Sequence, residues 1–185
     1  MNKKIFAITL AALMALALTA CGGSSEQPAE ESSEAASESM GLANPWTEAE
    51  TAEAAAEGAG VGSFQLPENG TETSGGRVDW EGFQYMEGLA EADGWIGTAE
   101  LTVRKGLVRD FEDPSGDYTE YRYTWEQGVG GMEVLCSGNV ENMAAKVIWV
   151  SGDCSYSINV LGQGDLSDNY GLNPKTVEEL VSAIQ

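Results

Sequence analysis

Asp110, Glu112, Asp113 and Asp117 fall within eight residues of one another, the densest run of carboxylates in the second half of the chain. Oxygen ligands at this density suit Ca²⁺, and two carboxyls facing each other across a cleft could act as the acid pair of a glycosidase. The spacing is not that of an EF-hand loop, because the position that needs the bidentate Glu is Tyr121. The reading kept is a solvated turn in which Asp113 caps Pro114-Ser115-Gly116, with calcium and an acid pair as the sharper alternatives. Asp165 and Asp168, near Asn169 and Gly171, read the same way. Arg104 and Lys105 stand just upstream of the run. An ion pair with it is the modest expectation, and a binding site for an anionic group is the sharper one. Tyr121, Tyr123 and Trp125 alternate along one face, either as core or as the lining of an apolar or sugar-binding groove.

Much other chemistry is closed to this chain. It has no histidine, which removes Ser-His and Cys-His nucleophile pairs, His-ligated zinc and imidazole acid–base work. After residue 20 the lysines are Lys105, Lys146 and Lys175, none in a Ser-x-x-Lys motif. No phosphate-binding loop and no Gly-x-Gly-x-x-Gly motif opens a helix, and Gly128-Val129-Gly130-Gly131 fits a hairpin turn. No cofactor is implied.

The elements that would carry these residues follow from periodicity. Thr47 as N-cap with Glu50 three residues on predicts a short Ala-rich helix ending at Gly58. Phe64 to Pro67 reads as a short strand, residues 68–76 as loop, Trp80 to Met86 as a strand of mixed pattern, and Gly88 to Gly94 as a turn. Clear alternation then sets Trp95, Gly97, Ala99, Leu101 and Val103 against Thr98, Glu100, Thr102 and Arg104. Further strands run through Tyr121–Trp125, Met132–Cys136, Met143–Val150 and Cys154–Val160. The Met143–Val150 strand is apolar on both faces and so belongs in the middle of the sheet. Thr176 and Glu179 form a second capping box, and Val177, Leu180, Val181 and Ile184 make one apolar stripe. The expected fold is α+β: about seven antiparallel strands, a short N-terminal helix, and a C-terminal amphipathic helix on the sheet's inner face.

The N-terminus sets the address. Lys3 and Lys4 precede sixteen apolar-rich residues, Ile5–Ala20, shorter than the ~20 a membrane-spanning helix needs. Leu18-Thr19-Ala20-Cys21 has the form of a lipoprotein cleavage site, with Cys21 as the lipidated residue. Two acyl chains, at about 0.8 kcal/mol per buried CH₂, anchor a chain stably where one does not. The expected organisation is a signal peptide over 1–20, an acidic Ser/Glu/Ala-rich disordered tether over 21–43, and one domain over 44–185. Without residues 1–20, seven basic residues face thirty acidic ones. Such a charge repels nucleic acid and anionic headgroups and favours cationic ligands, weakly at a Debye length of ~8 Å.

With Cys21 lipidated, Cys136 and Cys154 remain. An exported chain can form a disulfide. The expected meander sets these two on non-adjacent strands near opposite ends of the sheet, beyond the ~7 Å bridging limit, so two buried thiols are favoured over a Cys136–Cys154 bridge.

Several residues together resemble a family of unknown function found in extracytoplasmic lipoproteins of clostridial-type Gram-positive bacteria. The matching pieces are Asn44-Pro45-Trp46, Phe64-x-Leu66-Pro67, Arg104-Lys105-Gly106, Asp113-Pro114-Ser115-Gly116-Asp117-Tyr118, Trp149 and Ser155-Tyr156-Ser157-Ile158, spread over residues 44–185. The family usually carries an apolar β-branched residue where Pro114 stands. The resemblance implies location and fold and brings no catalytic residues. The functional expectation is a non-enzymatic binding or envelope-sensing module, held through the Cys21 lipid on the outer face of a cell membrane. The alternatives are a carboxylate-based glycan hydrolase and a structural accessory subunit of a membrane complex.

Overall fold

Apolar residues at every second position draw most of the domain into strands, and two short helices cover the face those residues share. The structure, a computed structural model, describes residues 44–163 and 170–185. The signal segment, the tether with Cys21, and Asp165, Asp168 and Asn169 lie outside the described residues. In chain order the elements are β1 (Thr47–Ala49), α1 (Ala52–Ala59), β2 (Thr71–Thr73), β3 (Gly76–Met86), β4 (Leu89–Ile96), β5 (Ala99–Leu107), β6 (Tyr123–Val129), β7 (Met132–Gly138), β8 (Lys146–Ser151), β9 (Cys154–Leu161) and α2 (Pro174–Ala183). All strand pairs are antiparallel, in the order β1-β3-β4-β5-β9-β8-β7-β6, with β2 also on β3. Among the described residues no helix is long and apolar enough to cross a membrane.

The α+β class stands, with nine strands where about seven were expected. Three were missed and one was not a strand. Gly88–Gly94, expected as a turn, is mostly β4, whose inward residues Ala90 and Ala92 are too small to announce a core strand yet are fully buried. They are small because α1 lies over them, presenting Ala55, Ala56 and Ala59. The approach is close: a methyl at Gly58 would stand 2.4 Å from the Tyr85 ring. Thr47–Ala49, expected to open the helix, pairs instead with Phe83–Tyr85. Thr51 is the true N-cap, its Oγ1 accepting from Ala54 N at 3.1 Å, and the helix ends at Gly60 with φ 71°. Phe64 is buried without being in a strand, while Gln65 and Gln185 exchange backbone hydrogen bonds of 2.7 and 3.0 Å that tie down the C-terminus.

The expected capping box at α2 is also revised. Asn173 caps, its Oδ1 accepting from Lys175 N and Thr176 N, and Thr176 is buried inside the helix. Glu179 reaches away to accept from Ser74 N at 2.7 Å and Ser74 Oγ at 2.9 Å. At its other side α2 meets the far edge strand, where Gln127 Nε2 donates to Pro174 O at 2.7 Å. One helix thus touches the β2–β3 hairpin and β6, and the sheet curves around the apolar stripe of Val177, Leu180 and Val181.

Cys136 and Cys154 are free thiols in the structure. Cys136 aligns with Val147 and, across β8, with Ile158, four residues from Cys154 along β9. Two strand spacings and four rises separate the pair by roughly 16 Å. Burial pushes the Cys136 thiol up to about 11.

Candidate functional site

The outer face of the sheet, turned away from the helices, carries the polar residues in register. One lateral row runs Glu48, Gln84, Glu91, Arg104, Ser157 across β1, β3, β4, β5 and β9. The next holds Gly82, Asp93, Thr102, Asn159 and Lys146.

Glu91 is only 3 % exposed and is matched on both oxygens: Gln84 Nε2 donates to one and Arg104 Nε to the other. Arg104 continues through Nη1 to Ser115 O, with a longer contact to Pro114 O at 3.4 Å, and its guanidinium carbon sits 5.5 Å from the Trp46 ring centroid. Asn159 Nδ2 donates to the same Ser115 oxygen at 2.9 Å. That carbonyl helps pin the 108–122 segment onto the outer face, together with Ser155 Oγ donating to Phe111 O and Lys146 Nζ donating to Asp117 O at 2.9 Å.

Beside this buried cluster runs an open trough made of three adjoining clefts. The first, about 390 Å³, lies against Glu48, Glu81, Gly82 and Asp93. The second, about 250 Å³, shares Glu81 and Asp93 and adds Trp95, Glu100 and Thr102. The third, about 270 Å³, shares Glu100 and Thr102 and ends against Asp117, Tyr121, Asn159 and Leu161. A β-bulge creates the opening. Register slips between Trp80 and Gly82, so Glu81 is the extra residue and the inward phase changes from Val78 and Trp80 to Phe83 and Tyr85. Gly82 leaves open space above it, whereas a Cβ at Gly94 would stand 2.3 Å from Asp79 O. No basic side chain lines any of the three clefts.

Asp93 is the electrostatic centre of the trough. It is half-buried and accepts from Thr102 Oγ1 at 2.7 Å. Burial first, and then the negative charge of Glu91 two residues away, hold its carboxyl above the usual range against the pull of Thr102 and Arg104. At the far end, Asn159 Oδ1 is buried without a partner, as is Ser157 Oγ two residues away on the same face.

The acidic run chosen from the sequence is spent on its own fold. Asp113 Oδ1 accepts from Ser115 N at 2.9 Å, the expected cap, and its Oδ2 faces Lys146 Nζ at 3.4 Å. Asp117 accepts from Thr119 N at 2.9 Å and from the Tyr121 hydroxyl. Burial works to raise the Asp117 carboxyl, but Thr119, Tyr121 and Lys146 outweigh it and hold it below its usual value. Asp110 meets Arg109 at 3.2 Å, and Glu112 is exposed. Among the described residues no three acidic or thiol side chains converge as metal ligands.

Arg104 and Lys105 do not form a joint anion site, because neighbours in a strand point to opposite faces. Arg104 pairs with Glu91 and with carbonyls of the 114–115 turn, not with the run's carboxylates. Lys105 is 5 % exposed on the inner face, donates to Ser63 O, and lies 5.0 Å from the Tyr156 ring centroid, with Trp149 stacked 5.0 Å beyond. Of the three aromatics expected on one face, only Tyr123 and Trp125 share a side of β6. Tyr121 precedes β6 and contacts Lys146, while Tyr123 is 37 % exposed and Trp125 half-buried on the edge strand.

Glu81, Asp93 and Glu100 escaped sequence reasoning. The signal for Asp93 was present in Leu89-Ala90-Glu91-Ala92-Asp93, where acids alternate with alanines, but it reads as a strand only if alanine is accepted as a core residue; Glu81 sits at the bulge of β3 and Glu100 on the polar side of β5. The chain matches no protein-family model, and neither the curated proteins nor the solved structures contain a match to it.

Proposed function

We propose that this chain is a lipid-anchored extracytoplasmic binding module whose outer-face trough takes a linear, multiply protonated amine. The observation behind this reading is the trough itself. Glu48, Glu81, Asp93, Glu100 and Asp117 line three adjoining clefts that no basic residue enters. The clefts reach from β1 to β9, four strand spacings or roughly 19 Å, a length suited to a polyamine. The trough's carboxylates and hydroxyls can all accept from an ammonium group. The lipobox at Cys21, the acidic tether and the family resemblance support the location, with the membrane as the one partner the sequence itself names. Calorimetric titration of the full chain with spermidine tests the reading. Combined Glu81→Gln, Asp93→Asn and Glu100→Gln should weaken binding at least about tenfold, or ~1.4 kcal/mol, and added salt should weaken it in the parent.

Asp93 also favours a second reading, glycan hydrolysis, since burial in a cleft shifts its carboxyl upward, the direction a general acid needs. Release of reducing ends from a cell-wall glycan, abolished by Asp93→Asn, would select it. Its absence leaves the binding module.

A further inference from the structure

We infer that the open edge of β6 is a strand-addition site for an extended, basic segment of another protein. The two edges of the sheet are built differently. At one end, the outer edge of β3 is covered by β1 over Phe83–Tyr85 and by β2 over Gly76–Val78. Those covering strands are three residues each, too short to template a partner. At the other end, β6 offers seven residues in unbroken register with β7, from Tyr123 opposite Gly138 to Val129 opposite Met132. Among the described residues no strand pairs with its far side. It contains no proline, no lysine and no bulge; α2 meets it at Gln127, whose Nε2 donates to Pro174 O.

An added strand would extend two rows already present. On the inner side, Phe83, Ala92, Val103, Ile158, Val147, Cys136 and Trp125 align from strand to strand, and the half-buried Trp125 ends the row at the edge. An apolar residue of the incoming strand would complete its burial, with Tyr123 as a second aromatic anchor. On the outer side the exposed side chains are Thr124 and Glu126 and, across the hairpin, Glu133 and Leu135, so the charge there is acidic. Basic residues at alternate positions match these charges. The same charges count against a second copy of this chain, whose Glu126 and formal net charge of −21 would face an equal charge. The occupant is therefore a strand of alternating apolar and basic residues.

Amide hydrogen exchange of the full chain tests this. The probe is a blocked ten-residue peptide alternating lysine with valine. Two controls carry N-methyl groups on the pairing amides or glutamate in place of lysine. With the lysine peptide, β6 amides pointing away from β7 should slow at least tenfold, and neither control should slow them. Glu126→Lys should shift the preference toward the glutamate peptide. The substitutions that empty the trough of charge should leave the β6 effect in place, which separates this inference from the polyamine reading. Equal protection by the N-methylated peptide, or protection only outside β6, would overturn it. So would protection without peptide that rises with protein concentration alongside a dimeric mass, because the edge would then belong to a second copy.

Discussion

At the scale of single residues, the outer face is governed by one buried carboxylate and one half-buried one. Glu91 is matched by Arg104 and Gln84, so removing the cation leaves a charge in a site that water does not reach. Arg104→Met should cost about 3–5 kcal/mol in urea unfolding, and adding Glu91→Leu should recover much of it, because the penalty is the stranded charge. Asp93 behaves in the opposite sense. Its folded pKa lies above the unfolded value, so the native state holds the proton longer. This contribution to stability falls as pH rises from the unfolded to the folded pKa, and the loss persists at neutral pH. Asp93→Asn should therefore raise the melting temperature at pH 7, with the advantage shrinking as pH is lowered through the folded pKa. Lys105 shows what sequence could and could not reveal. The alternation that buries Leu101 and Val103 also turns Lys105 inward, so its direction was legible. Its partners, Ser63 O and the Tyr156 ring, come from a loop and from a strand some fifty residues later, and no local pattern points to them.

At the scale of elements, strands with large inward residues were legible and strands with small ones were not. β5, β7, β8 and β9 bury Leu101, Val134, Val147 and Ile158, and their alternation stands out. β4 buries alanines because a helix needs the room, and β3 changes phase at its bulge, so neither repeats a simple pattern. The bulge makes a sharp prediction. Deleting Glu81 would force Val78 and Trp80, or Phe83 and Tyr85, to the wrong face, whereas Glu81→Ala keeps the extra residue. The deletion should abolish cooperative unfolding and the alanine variant should keep it, followed by circular dichroism. Helix starts were misplaced for a related reason: Thr47 and Thr51 both fit an N-cap, and pairing with β3 claims the first. Thr51→Ala should cost about 1 kcal/mol, read from the urea midpoint at unchanged slope.

At the scale of the molecule, a curved antiparallel sheet encloses its apolar residues on one side and displays acids on the other. The site residues chosen from the sequence were those close together in the chain, 110–117. The trough draws its carboxylates from residues 48 to 117, brought together by lateral register, which a local reading does not contain. The proposed anchor has its own test. Cys21→Ala should release the protein into the medium or leave the precursor unprocessed, and fatty-acid labelling at the N-terminus should disappear. Persistent labelling would move the anchor elsewhere. The proposal that this molecule is a cation-binding module rests on the trough, and the most direct measurement is the calorimetric titration with spermidine. A cation-binding trough should give saturable binding that weakens with salt and falls at least about tenfold when Glu81, Asp93 and Glu100 are neutralised together. No binding, or binding unchanged by those three substitutions, would contradict it.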